Sequence, residues 1–121
     1  MKITLVFLGM LCMLTGFTCT DTVLEPLSGH PAWVDDLIRT YEEAPVGNPP
    51  QSIWQYQYNA TTVYYVPPQC CDQYSNLYDF PGNIIAHPDG GISGTGDGRA
   101  PDFIAKRTNE VLVWKDDRVR N

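Results

Sequence analysis

Residues 52–66, SIWQYQYNATTVYYV, decide the fold. Trp54, Tyr56 and Tyr58 alternate with Gln55 and Gln57, a period of two that sends the rings to one face of a strand and the amides to the other. Asn59-Ala60-Thr61 interrupts the alternation as a turn, and Thr62–Val66 resumes with β-branched and aromatic residues. The stretch reads as a β-hairpin. Pro67-Pro68 closes it, because proline cannot donate to a central ladder. One face of such a hairpin is expected to be core. Tyr64 and Tyr65 point to opposite faces, so one of them lies outside the core unless that face too is covered. An exposed ladder of Trp54, Tyr56, Tyr58, Tyr64 and Tyr65 would suggest a partner or sugar surface.

Upstream, residues 31–43, PAWVDDLIRTYEE, carry Trp33, Val34, Leu37, Ile38 and Tyr41 at helical spacing. Pro31 suits a first helical position, and Asp35 and Asp36 suit the positive end of the helix dipole. Pro45, Gly47, Pro49 and Pro50 end the helix. Residues 20–30 are polar and aperiodic and read as a tether. Residues 1–19, MKITLVFLGMLCMLTGFTC, have one early cation, Lys2, and then an apolar run, the pattern of a secretory signal. Cys19 stands where a lipid-modified cysteine would stand, although Gly16 and Thr18 depart from the usual aliphatic and small residues there. Lipid anchoring at Cys19 and ordinary cleavage near Thr20 are both kept. Diacylation would hold the protein at a membrane.

Downstream, Asn76–Asp79 and Asn83–Ala86 flank Phe80-Pro81-Gly82 and read as a second hairpin. Val111–Trp114 reads as one more short strand, and Lys115–Asn121 as a charged, frayed tail. The expected architecture is α+β: one N-terminal amphipathic helix packed on a four- to five-stranded antiparallel sheet of hairpins, with a long Gly/Asp-rich loop. Residues 31–118 form a single domain, of a size (about 90 residues) that buries a core without needing disulfides. The net charge of −6 repels nucleic acid and anionic lipid, leaving a membrane accessible only through a lipid anchor.

Two features could carry chemistry. Cys70 and Cys71 are adjacent. Thiols in an oxidising compartment tend to pair, yet neighbouring Cα atoms, about 3.8 Å apart, are closer than disulfides usually span. The readings are a vicinal disulfide, serving redox chemistry or a rigid ligand platform, or two small side chains in a turn. Zinc is poorly served, because adjacent cysteines lack ligand spacing and His30 and His87 supply no pattern. The second feature is Pro88–Asp102, PDGGISGTGDGRAPD, with five glycines and three carboxylates. Asp89, Asp97 and Asp102 are candidate calcium ligands, since calcium takes oxygen donors and glycine lets a backbone curl around the ion. The spacing is not that of an EF-hand, nor is there a phosphate loop. The alternative is a structured surface loop with positive-φ glycines and Asx-turns. No serine, histidine and orienting acid stand in an evident catalytic pattern. Asp35-Asp36 and Asp116-Asp117 read as solvated charges. Asn59-Ala60-Thr61 is a glycosylation sequon, of use only in a eukaryotic source.

The chain resembles a family of small, uncharacterised exported proteins, mostly bacterial and lipoprotein-like. The resemblance spans residues 31–118 and rests on Ile53–Tyr58, VYYV at Val63–Val66, CCDQ at Cys70–Gln73, LYD at Leu77–Asp79, PDGG at Pro88–Gly91, GDG at Gly96–Gly98, PDF at Pro101–Phe103 and W-K-D-x-R at Trp114–Arg118. It implies an exported domain of unknown function and no activity. The expected function is therefore a non-enzymatic, secreted or surface-anchored binding or structural module, engaging an extracellular protein or small ligand, with calcium as candidate cofactor at the Asp/Gly loop. The alternatives are an inhibitor or modulator of an extracellular enzyme, and thiol redox chemistry at Cys70-Cys71.

Overall fold

The computed structural model describes residues 29–120. The signal, most of the tether and Cys19 lie outside the described residues. The fold is mixed α+β, in the order α1 (Ala32–Glu43), β1 (Ser52–Tyr58), β2 (Thr61–Val66), β3 (Asn76–Tyr78), β4 (Ile84–Ala86), α2 (Phe103–Lys106) and β5 (Thr108–Lys115). The strands form one antiparallel sheet in the order β4-β3-β2-β1-β5.

β1 and β2 pair in the register Trp54↔Tyr65, Tyr56↔Val63 and Tyr58↔Thr61. The turn is two residues, Asn59 and Ala60, at φ +50° and +62°, so Thr61 already belongs to β2. Two consecutive positive φ angles are the type I′ geometry that matches strand twist. The hydroxyl of Thr61 donates back to the Tyr58 carbonyl and pins the turn. At the β3–β4 turn, Asp79 Oδ1 accepts the backbone N–H groups of Gly82 and Asn83, an Asx-type closure.

The sheet is covered on both faces, and each face has its own core. On one, Val34, Ile53, Tyr64 and Val66 are joined by Trp33, Leu37, Ile38 and Tyr41 of α1, by Tyr78, and by Val113 and Trp114 of β5. Tyr41 stacks on Trp114, and Trp33 meets the edge of Tyr64 and lies tilted on Tyr78. Pro31 takes the N-cap and not the first helical position. At the other end of α1, the Arg118 guanidinium donates to the carbonyls of Glu42 and Ala44 and to that of Tyr41, which also accepts the Ala44 N–H. Asp116 orients that guanidinium. It is buried, not a solvated tail charge, and its carboxyl is held below the usual range, first by the hydrogen bond from Arg118.

On the other face, Tyr56, Tyr58, Val63, Tyr65, Leu77, Ala86, Ala100 and Phe103 form the second core, with Trp54 packed against it. Phe103 contacts the rings of Tyr56, Tyr58 and Tyr65. The Trp54/Tyr56/Tyr58 face is thus closed by α2 and the loop before it, whereas α1 closes the opposite face. Both Tyr64 and Tyr65 are consequently buried. β5 runs from Thr108, longer than its apolar stretch Val111–Trp114. It is an edge strand with two register shifts against β1 and Asn109 at φ +53°, irregularities that blunt an edge against pairing with another chain. Among the described residues no helix is long and apolar enough to cross a membrane.

Candidate functional site

β1 begins, β2 ends, β3 begins and β4 ends at the same end of the sheet. The chain segments at that end, residues 46–50, 67–75 and 87–98, therefore meet. The glycine loop is laid directly on the cysteine segment. Ser75, fully buried, donates its backbone N–H and its hydroxyl to the Asp89 carbonyl, and its Oγ accepts the Asp89 N–H. Tyr74 bridges Gly90 in antiparallel fashion, and the Gly91 N–H donates to the Gln73 carbonyl at 3.0 Å. Gly91 lies against the Tyr74 ring at φ +74°, and a Cβ there would collide with the ring. Gly90, at φ +78°, approaches the Gln73 carbonyl just as closely. These two glycines are needed for contact as well as for conformation. Further along, the Gly96 N–H donates to the Gly90 carbonyl and the Asp97 N–H to that of His87.

His87 lies tilted against Tyr74, and its Nδ1 lies 2.7 Å from the Ser75 carbonyl. A carbonyl only accepts, so Nδ1 carries the proton and Nε2 keeps its lone pair in the neutral ring. On the other side, Cys70 and Cys71 are joined in a vicinal disulfide with Cα atoms 3.7 Å apart. The Cys70 N–H donates to the Asn48 carbonyl, while the Gln69 side chain accepts from the Asn48 N–H and donates to the Pro49 carbonyl. An open concavity of about 490 Å³ is lined by Pro45, Val46, Arg118, Val119 and Arg120. The surface made by residues 69–75 and 88–97 exposes the disulfide, with Tyr74 at 50% and Ile92 at 93% of their full accessibility.

The three aspartates read as calcium ligands are not brought together. Asp89 Oδ2 accepts from the Tyr65 hydroxyl at 2.8 Å, and its Oδ1 is buried without a partner among the described residues. Asp97 holds Arg99 through Oδ2 and the Arg99 N–H through Oδ1. Burial works to raise the Asp97 carboxyl, but these hydrogen bonds and the guanidinium charge outweigh it and hold it at about 2. Asp102 binds Lys106 at 2.8 Å and the Tyr58 hydroxyl at 2.6 Å, which together lower its pKa. Each carboxylate is engaged by its own donor, and among the described residues no three His, Cys, Asp or Glu side chains are grouped to hold a metal ion. Asn59 stands exposed at the hairpin tip, away from this surface.

Sequence reading missed the tyrosine anchors. Tyr56 donates to Glu110 at 2.7 Å, Tyr58 to Asp102 and Tyr65 to Asp89, across separations of 54, 44 and 24 residues. Burial, then the bond to Glu110, pushes the Tyr56 hydroxyl up to about 12. Arg107 lies 4.5 Å from the Tyr56 ring centroid, 5.6 Å from that of Tyr65 and 5.5 Å from that of Phe103, a cation over aromatic faces. Alternation places the tyrosines on one face, but no local pattern names an acceptor so far along the chain.

The fold and site thus define a small α+β domain whose acids anchor loops to a sheet and whose ordered, exposed chemistry is gathered at one strand end. The chain belongs to the family of a domain of unknown function, DUF6970, whose model matches residues 39–116. No curated protein and no solved structure matches the chain.

Proposed function

We propose that this protein is an exported, non-enzymatic binding module, held at the cell envelope through Cys19 or released by cleavage beside it, whose ligand face is the strand-end surface of residues 69–75 and 88–97. The observation that carries this reading is the seating of Gly90-Gly91 on Gln73-Tyr74, which makes the vicinal disulfide and the glycine loop one surface. Tyr74, Ile92 and the disulfide are apolar groups left in water on two segments hydrogen-bonded to one another, and pre-ordering of that kind lowers the entropic cost of binding. The acids available for chemistry on the neighbouring face are engaged by tyrosine hydroxyls, which favours binding over catalysis.

The test is site-specific photo-crosslinking in cells that produce the full chain, with a photoreactive phenylalanine at Ile92 or, as control, at exposed Arg39 on α1. A discrete adduct from position 92 and none from position 39 is expected. Equal adducts from both positions, or none from 92, would overturn the proposal.

A further inference from the structure

Cys71 and Asp72 sit at φ +77° and +70°. Two consecutive non-glycine residues in the left-handed region are disfavoured outside a tight turn, and these lie in the long connection 67–75 between β2 and β3, unlike Asn59-Ala60, which alone join β1 to β2. On the upstream side they are restrained by the covalent ring with Cys70 and by the bond from the Cys70 N–H to the Asn48 carbonyl. Immediately downstream, Gln73 and Tyr74 supply the carbonyl and the bridge on which Gly91 and Gly90 rest, and Gly90 in turn receives Gly96. The direction in which the chain leaves Asp72 therefore sets whether the glycine loop has a seat. Both cysteines are exposed, and no other cysteine falls among the described residues to exchange with them.

We propose that the Cys70–Cys71 disulfide is a redox latch for the glycine loop: oxidised, it seats Gly90 and Gly91, and through Gly90 also Gly96, on Gln73-Tyr74; reduced, it frees them. The co-reactant is a dithiol. One of its thiolates attacks a sulfur of the pair. The Cys70–Cys71 bond breaks, and its electron pair leaves on the other sulfur, which takes a proton. The second thiolate of the dithiol then resolves the mixed disulfide, so the reductant becomes a disulfide and the protein holds two thiols. With the ring open, Cys71 and Asp72 can return to the ordinary extended or right-handed regions, and Gln73 and Tyr74 turn away from Gly91 and Gly90. This deepens the ligand-face reading by giving that face a regulator, yet the latch is measurable without any ligand.

The experiment is amide hydrogen exchange on the full chain with and without dithiothreitol, with peptide mass after alkylation reporting the state of residues 67–75. On reduction, the Gly91 and Gly96 amides are expected to exchange about tenfold faster, while β1 and β2 amides such as those of Gln55 and Tyr64 keep their rates. The Cys70→Ser/Cys71→Ser variant is expected to exchange fast at Gly91 from the start and to ignore dithiothreitol. Both thiols alkylated with Gly91 unchanged would overturn the latch, as would equal acceleration in β1 and β2, or slow Gly91 exchange in the double serine variant. Failure here leaves the strand end a static ligand face. A missing crosslink at position 92 in the oxidised protein removes the ligand and leaves the latch.

Discussion

α1 closes one face of the sheet with a continuous apolar stripe, whereas the other face is closed by Ala100 on a loop and Phe103 on a helix of only four residues. The difference shows in the tyrosines. Tyr64, on the α1 face, is fully buried and its hydroxyl has no partner among the described residues. Tyr56, Tyr58 and Tyr65, on the loop face, each donate to a carboxylate carried by the covering segment or by β5. A twelve-residue helix has enough apolar area to stay in place by packing alone. A loop does not, and here it is fixed by one buried ring and by polar bonds at the tips of the tyrosines beneath it.

The largest test of that contrast is Phe103→Ala. The side chain is fully buried and touches three tyrosine rings, so its loss is expected to cost about 3–5 kcal/mol. Chemical denaturation would measure it. A cost below about 1 kcal/mol, the range of an ordinary surface change, would mean that the loop is not held by its ring.

Tyr65→Phe follows. It keeps the ring against Phe103 and deletes the donor to Asp89, leaving both oxygens of that carboxylate without a protein partner. The expected cost is about 1–3 kcal/mol, the penalty of orphaning a buried acceptor. Because Asp89 also sits in the backbone lattice with Ser75, protection of the Gly91 amide should fall with it.

Acid should act next. Asp97 is held at about 2, and Asp102 and Asp116 also lie below their ordinary value of 3.8. A carboxyl whose pKa falls on folding stabilises the protein above its unfolded value and loses that contribution as pH drops through the folded one. The melting temperature is therefore expected to hold down to about pH 4 and to fall between about pH 4 and 2. The decline is modest at Asp97 and Asp102, where solvent screens the pairs. A melting temperature that is flat across this window would mean that the pairs of Asp97, Asp102 and Asp116 do not stabilise the fold.

The same contrast explains what could be read from the chain. The alternation of Trp54, Tyr56 and Tyr58 around Asn59-Ala60 is local, and it yields the central hairpin and the mixed α+β class. The cover for that alternating face is not local. Phe103–Lys106 is one helical turn, too short for a period, and it is set by where Phe103 finds its three rings. The residues Thr108–Glu110 look polar because they lie on an edge strand, where water serves as neighbour and Glu110 answers Tyr56. The acids of PDGG and PDF invite a cation by composition. Their use as tyrosine acceptors depends on register, because only the pairing of β1 with β2 decides which tyrosines face the loop. The W-K-D-x-R motif has the same character: Trp114 packs on Tyr41, and Asp116 steers Arg118 onto the last carbonyls of α1.

The smallest expected effect is also the sharpest, because it separates neighbours. Tyr64→Phe removes a buried hydroxyl that bonds to nothing among the described residues, and it keeps the ring against Trp33. Deleting a polar atom without orphaning a partner should change stability by no more than about 0.5 kcal/mol, and in the favourable direction if anything. Tyr65→Phe, one residue along the same strand, is expected to cost several times more. The two substitutions delete the same atom from the same residue type at nearly the same depth, so propensity and ring burial cancel between them. What remains is the bond to Asp89. Equal costs for the pair would show that the bond to Asp89 adds nothing and that Tyr65 holds the loop face by packing alone.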